Sequence, residues 1–110
     1  ATTEIYTLSL HDALPISIKQ HKPDIILFGF KLLVDVPKAH LISVARSALT
    51  QNQADYVLAN DLTEITETSH HGLLVSQEAI IEAHTKLEIA DLIVRKSEET
   101  YDQDHTRHNR

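Results

Sequence analysis

Two apolar runs with a helical stretch between them constrain this chain more than any other feature. Residues 24–31 read DIILFGFK, and residues 55–59 read DYVLA. The first run is almost continuously apolar and rich in β-branched and aromatic residues, which suits a strand buried on both faces of a parallel sheet. Between the runs, Leu41, Val44, Ala45, Ala48 and Leu49 recur at helical spacing, one apolar stripe turned to a sheet. Pro37 fits the first turn of that helix. Asp35 lies close enough to favour its N-terminus, and the helix is expected to end near Asn52. A strand, a crossover helix and a strand in this order predict a parallel pair. Ligands of open α/β sheets gather at the carboxyl ends of the strands. Here those ends carry Gly29-Phe30-Lys31 and Ala59-Asn60-Asp61.

The flanking segments complete an α/β pattern. Residues 17–21 read as the tail of a helix that Pro23 ends. Residues 61–71 are polar and threonine-rich and read as a loop. Residues 72–75 and 79–83 form a short β-hairpin around Ser76-Gln77-Glu78. Thr85 and Glu88 make a capping box for a last helix, whose expected apolar stripe is Leu87, Ile89, Ala90, Ile93 and Val94. From residue 98 the chain is polar, so 98–110 is expected to be a disordered tail.

Composition excludes several classes of function. The net charge of −6 and the lack of a basic face argue against a nucleic-acid partner. There are no cysteines, hence no disulfide and no thiolate site. No apolar stretch approaches the roughly 20 residues of a membrane helix. A soluble cytoplasmic protein is the default expectation. Gly29 and Gly72 are the two glycines, too few for a loop that cradles phosphate with backbone amides. Eight histidines invite a metal reading. Yet His70, His71, His84, His105 and His108 show no convincing three-ligand spacing, and no metal site is expected. Asp61, Glu64 and Glu67 form an acidic stretch that could help hold magnesium, with a solvated loop as the plainer reading.

Residues 1–16, ATTEIYTLSLHDALPI, resemble the conceptual translation of a common short-read sequencing adapter. They are therefore set aside as a non-native segment. They are expected to contribute little to the core formed by residues 23–94. The other reading is an amphipathic segment with Ile5, Leu8, Leu10 and Leu14 as its apolar face.

At Gly29-Phe30-Lys31-Leu32 and Ala59-Asn60-Asp61 the sequence resembles phosphopantothenate–cysteine ligase of the stand-alone type. Pro23-Asp24, Ala45-Arg46, Ala54-Asp55 and residues 83–90 extend the likeness, which covers residues 17–97. The resemblance implies a Rossmann-like parallel sheet with flanking helices, incomplete, forming the C-terminal part of a ligase domain. It implies a reaction of coenzyme A biosynthesis: 4′-phosphopantothenate is activated by CTP, or ATP, with Mg2+, and the acyl-nucleotide is joined to cysteine. It also implies a homodimer at full length. Family ligases are longer, and the glycine-rich phosphate loop is expected in the absent N-terminal half. The fragment alone is thus expected to be inactive.

Three residues are candidates within that resemblance. Phe30 would stack on the nucleobase, or else is a core aromatic. Asn60 would hydrogen-bond the base or an amide, or else caps the turn at Asp61. Lys31 is the catalytic candidate, neutralising triphosphate or the charge on the acyl-nucleotide; otherwise it is a snorkelling lysine. The bifunctional bacterial forms carry a lysine two residues beyond the arginine of Ala-Arg. Here that position is Ala48, so the resemblance implies that the charge comes either from Lys31 on the neighbouring strand, the favoured reading, or from the missing part of the protein. The reading from a different class is a non-catalytic α/β nucleotide-binding or dimerisation module.

Overall fold

Three parallel strands and an antiparallel hairpin make one five-stranded sheet in sequential order. The computed structural model describes residues 5–9 and 15–108, with side chains described for 18–103. The strands are β1 (Ile5–Ser9), β2 (Ile26–Leu33), β3 (Tyr56–Ile65), β4 (His70–Val75) and β5 (Ile80–Ala83). The helices are α1 (Pro15–His21), α2 (Lys38–Asn52) and α3 (Lys86–His108). β1, β2 and β3 are parallel, and β4 and β5 run antiparallel. This is the expected α/β fold, with an antiparallel edge on a parallel sheet.

Side-chain alternation divides the core into two layers. Val57 and Ala59 of β3 with Leu73 and Val75 of β4 meet Leu41, Ala45, Ala48 and Leu49 of α2. Ile26, Phe28, Leu58 and Leu74 point the other way and meet Ile89 and Leu92 of α3. Phe28 is fully buried and stacks on Tyr56, with ring centroids 4.8 Å apart. At the amino end of β3, the Asp55 carboxylate accepts the Leu27 amide and the Lys19 ammonium, each at 2.8 Å. That contact ties α1 to the sheet.

Four expectations need correction. Residues 61–71 are not simply a loop, because β3 continues to Ile65 and β4 begins at His70. The hairpin around Ser76-Gln77-Glu78 is as expected, and β4 also pairs with β3, which carries threonine-rich residues of low apolarity into a strand. Residues 98–108 continue α3 instead of forming a disordered tail. Ser97 is buried, the Tyr56 hydroxyl lies 2.8 Å from Thr100 Oγ1, and Tyr101 packs on the α3-side core. These tertiary contacts hold a polar helix that its own composition would not. The capping box is as expected: Thr85 Oγ1 accepts the Glu88 amide at 3.1 Å, and the Glu88 carboxylate accepts the His84 amide at 2.6 Å. The stripe, however, is rotated. Ile89 and Leu92 are buried, whereas Leu87 is 80% exposed and Val94 56% exposed.

The fourth correction concerns the segment set aside. Ile5–Ser9 pairs in parallel with β2 over five register positions, from Ile5↔Ile26 to Ser9↔Phe30. A buried parallel strand such as β2 presents a row of N–H and C=O groups on each side, and an extended neighbour satisfies them. The segment therefore contributes to the sheet through its backbone. The side chains of Ile5, Leu8, Leu10 and Leu14 lie outside the described residues.

Candidate functional site at the carboxyl ends of the strands

Phe30, Lys31 and Asn60 all lie toward the carboxyl end of the parallel strands, but not on one face. In the β2–β3 register Phe30 pairs with Leu58, Lys31 with Ala59 and Leu32 with Asn60. Phe30 and Asn60 consequently share the α3 face, and Lys31 shares the α2 face with Asp61. Successive residues of a strand point to opposite faces, so Phe30 and Lys31 cannot address a ligand from one side of the sheet. None of the three ends its strand: β2 continues to Leu33 and β3 to Ile65.

Each candidate has a distinct environment. Phe30 is half-buried and packs against the α3-side core. One part of its ring is thus a core surface and the remainder is available. Asn60 is only 8% exposed, and its Nδ2 donates to the His71 carbonyl at 2.8 Å. Gly72 makes that possible. A Cβ there would lie 2.6 Å from Asn60 Nδ2, well inside van der Waals contact. Lys31 is half-buried and makes no hydrogen bond or ion pair with the described residues.

Asp61 is the residue that sequence reasoning underestimated. It is 4% exposed rather than solvated. Its Oδ1 accepts the amides of Asp35 and Thr63 at 2.9 Å and the Thr63 hydroxyl at 2.7 Å. Its Oδ2 accepts the Val36 amide at 2.9 Å. The Val36 amide and Thr63 hydroxyl, then the Thr63 and Asp35 amides, hold its carboxyl far below the usual carboxylate range, against a smaller opposing push from burial. The β3–β4 register shifts between Asn60 and Ile65, and such an irregularity re-aims the side chains beside it. Asp35 takes a left-handed φ of 53°, which orients the consecutive amides of 35 and 36 on one carboxylate. An aspartate that follows a buried strand and faces a helix-entry loop is the signal that could have marked it.

A second polar network lies on the α2 face. His71 pairs through Nδ1 with Glu64 and through Nε2 with Glu82 at 3.1 Å. Glu82 also accepts the Lys38 ammonium at 2.7 Å, and the His84 ring stacks on His71 at 5.4 Å. Partial burial pushes the His71 pKa down, but hydrogen bonds and charge from Glu64 and Glu82 outweigh it and raise the pKa above 6.5. Glu82 is lowered, first by Lys38 and then by His71. A raised histidine pKa contributes stability below the unfolded value, and loses it as pH rises through the folded one. The chain should therefore lose a little stability, less than about 1 kcal/mol, on the alkaline side of the ordinary histidine range. Thermal melts of His71→Gln against the unsubstituted chain should remove that slope.

Within the acidic stretch, Asp61 accepts three amides and the Thr63 hydroxyl, and Glu64 pairs with His71. Among the described residues no group of three His, Asp or Glu converges as a metal site. No described helix is long and apolar enough to cross a membrane. An open cleft of about 240 Å³ lies between residues 66–70 and the start of α3, lined by Thr66, His70, Thr85 and Lys86 among others. It includes none of Phe30, Lys31 and Asn60.

No family model matches the chain. No curated protein matches it either. Among solved structures it is similar to the DNA/pantothenate metabolism flavoprotein from Streptococcus pneumoniae, at 40% sequence identity and a TM-score of 0.79. The alignment covers 82% of this chain and 41% of that one, so the chain spans about two fifths of the relative it resembles in both sequence and fold.

Proposed function

We propose that this chain is the C-terminal α/β portion of a ligase that joins 4′-phosphopantothenate to cysteine through an acyl-nucleotide. The reaction would belong to coenzyme A biosynthesis in the cytoplasm, in a homodimer when full length. Similarity to a protein of pantothenate metabolism supports the substrate class. The observation that carries the reading is Lys31, a half-buried ammonium without an ion partner among the described residues, beside the carboxyl ends of two parallel strands.

The chemistry asks for such a cation. The phosphopantothenate carboxylate attacks the α-phosphorus of CTP or ATP, forming a C–O–P link and releasing pyrophosphate. The cysteine amine then attacks the acyl carbon. The C–O bond breaks, the nucleoside monophosphate leaves, the amine proton goes to solvent, and an amide remains. Negative charge accumulates at the phosphoryl centre and then on the acyl oxygen. A fixed ammonium stabilises both without reorganisation. Phe30 would offer part of its ring to the base, from the face opposite Lys31. Asn60 would act from that same face, with one amide hydrogen already committed to His71. With Lys31 on one face of the sheet and Phe30 and Asn60 on the other, a single nucleotide would reach both only by passing around the end of β2 at Leu33. Mg2+ would accompany the triphosphate. Among the described residues no group of three His, Asp or Glu converges to hold it, and no step is assigned to it.

A graft tests the proposal. Residues 17–97 of this chain would replace the aligned segment of the Streptococcus protein, and CTP- or ATP-dependent formation of the phosphopantothenoyl-cysteine amide would be measured. Amide formation with release of pyrophosphate is the expected result. A correctly folded graft that releases no pyrophosphate with either nucleotide, while the unmodified relative does, overturns the reading.

A further inference from the structure

We infer that Asp61 is a positioning residue: by collecting the amides of the β2–α2 loop on its carboxylate, it leaves Lys31 unpaired and available to an anionic ligand. The inference rests on the reading above that Lys31 meets the nucleotide phosphates.

The geometry sets up an apparent conflict that the loop resolves. Lys31 pairs with Ala59 and Leu33 with Asp61 in the same parallel register. Lys31 and Asp61 therefore occupy neighbouring positions on one face of the sheet. A half-buried ammonium so close to a buried carboxylate would ordinarily pair with it, since burying either charge alone is costly. No such pair forms. Both carboxylate oxygens are already occupied: Oδ1 by the Asp35 amide, the Thr63 amide and the Thr63 hydroxyl, Oδ2 by the Val36 amide. The charge of Asp61 is met by backbone dipoles, a nest for an anion built from consecutive N–H groups. That arrangement needs the left-handed backbone at Asp35. It also fixes the chain just ahead of α2, where Pro37 is the N-cap and supplies no side-chain bond of its own. One carboxylate thus holds the loop in place and keeps the nearby cation out of an internal salt bridge.

Thr63→Val separates these roles with little change in size. It keeps the Asp61 carboxylate but removes its hydroxyl donor, which opens an acceptor position to Lys31. The test is titration calorimetry of the full 110-residue chain with CTP and, separately, with cytidine. Expected is a severalfold loss in CTP affinity in Thr63→Val, with cytidine affinity unchanged. General loosening of the fold would weaken both ligands alike and would overturn the inference, as would unchanged CTP affinity.

If the unsubstituted chain binds neither CTP nor ATP, as the phosphate loop expected in the N-terminal half allows, the graft above decides the ligase reading, and the acylation rate of Lys31 by an amine-reactive ester, followed by mass spectrometry, decides the role of Asp61. Thr63→Val, which frees an acceptor position on Asp61, should slow Lys31 acylation severalfold relative to Lys38, which pairs with Glu82. An unchanged ratio overturns the positioning role.

Discussion

Lys31→Ala is expected to lower amide-forming turnover by about 100-fold or more in the grafted enzyme, the usual cost of losing one preorganised electrostatic stabiliser. The physical case is the absence of an internal partner. Lys31 forms no ion pair with the described residues, so truncation removes no structural contact of that kind and the effect should fall on the transition state. Asn60→Ala should behave differently. The amide is nearly buried and bonded to the His71 carbonyl, so its contribution is to shape and hold the base-binding side of β3. The apparent KM for nucleotide should rise while turnover stays near that of the parent graft. Steady-state kinetics with nucleotide as the varied substrate, together with quench-flow detection of acyl-nucleotide, would separate the two. Parent turnover in Lys31→Ala, with an unchanged KM in Asn60→Ala, would remove both residues from the site.

The second large effect concerns the fold. Phe28→Ala should cost about 3–5 kcal/mol, the range for removing a buried aromatic from a core. Phe28 is the largest of the fully buried side chains. It sits on β2 at the centre of the layer that α3 covers, touches the cluster of Ile26, Leu58, Leu74, Ile89 and Leu92, and stacks on Tyr56. The loss combines removed apolar area, an unfilled cavity and a broken aromatic pair. Total stabilities of small domains are only about 5–15 kcal/mol, so the variant should melt far below the parent. Urea unfolding followed by circular dichroism would measure it. A change under about 1 kcal/mol would mean that the α3 layer collapses around the gap, and that this helix does not depend on Phe28.

Much of the fold was written in periodicity. The β2–α2–β3 unit follows from runs of β-branched and aromatic residues around a 3.6-residue stripe, and Leu41, Ala45, Ala48 and Leu49 are indeed the buried side of α2. The capping box at Thr85 and Glu88 is local chemistry, and local chemistry is visible in a linear string. The stripe of α3 was misplaced because Leu87 and Val94 are apolar yet exposed, and hydropathy alone does not say which side of a helix a sheet will meet. Residues 98–108 were misread for a related reason. Thr100 and Tyr101 look polar in sequence, but Thr100 meets the Tyr56 hydroxyl and Tyr101 packs on the α3-side core, while Ser97 is buried and donates to the Ile93 carbonyl within α3.

The site divides along the same line. That Phe30, Lys31, Asn60 and Asp61 would lie near strand ends could be read from the order of the elements, because a parallel pair joined by a helix brings its carboxyl ends together. Which of them share a face depends on register, and register is settled by pairing between strands distant in sequence. Asp61 shows the difference most plainly. Its neighbours in sequence suggest a solvated acid. Its environment comes from Asp35 and Val36, some 25 residues away, which turn it into a buried anchor. Composition and spacing specified the α/β class, the β2–α2–β3 order and the capping box of α3. Three-dimensional packing alone determined the opposed faces of Lys31 and Asn60, the burial of Asp61 and the antiparallel edge of the sheet, because side-chain environment is created by contacts between segments that no local pattern encodes.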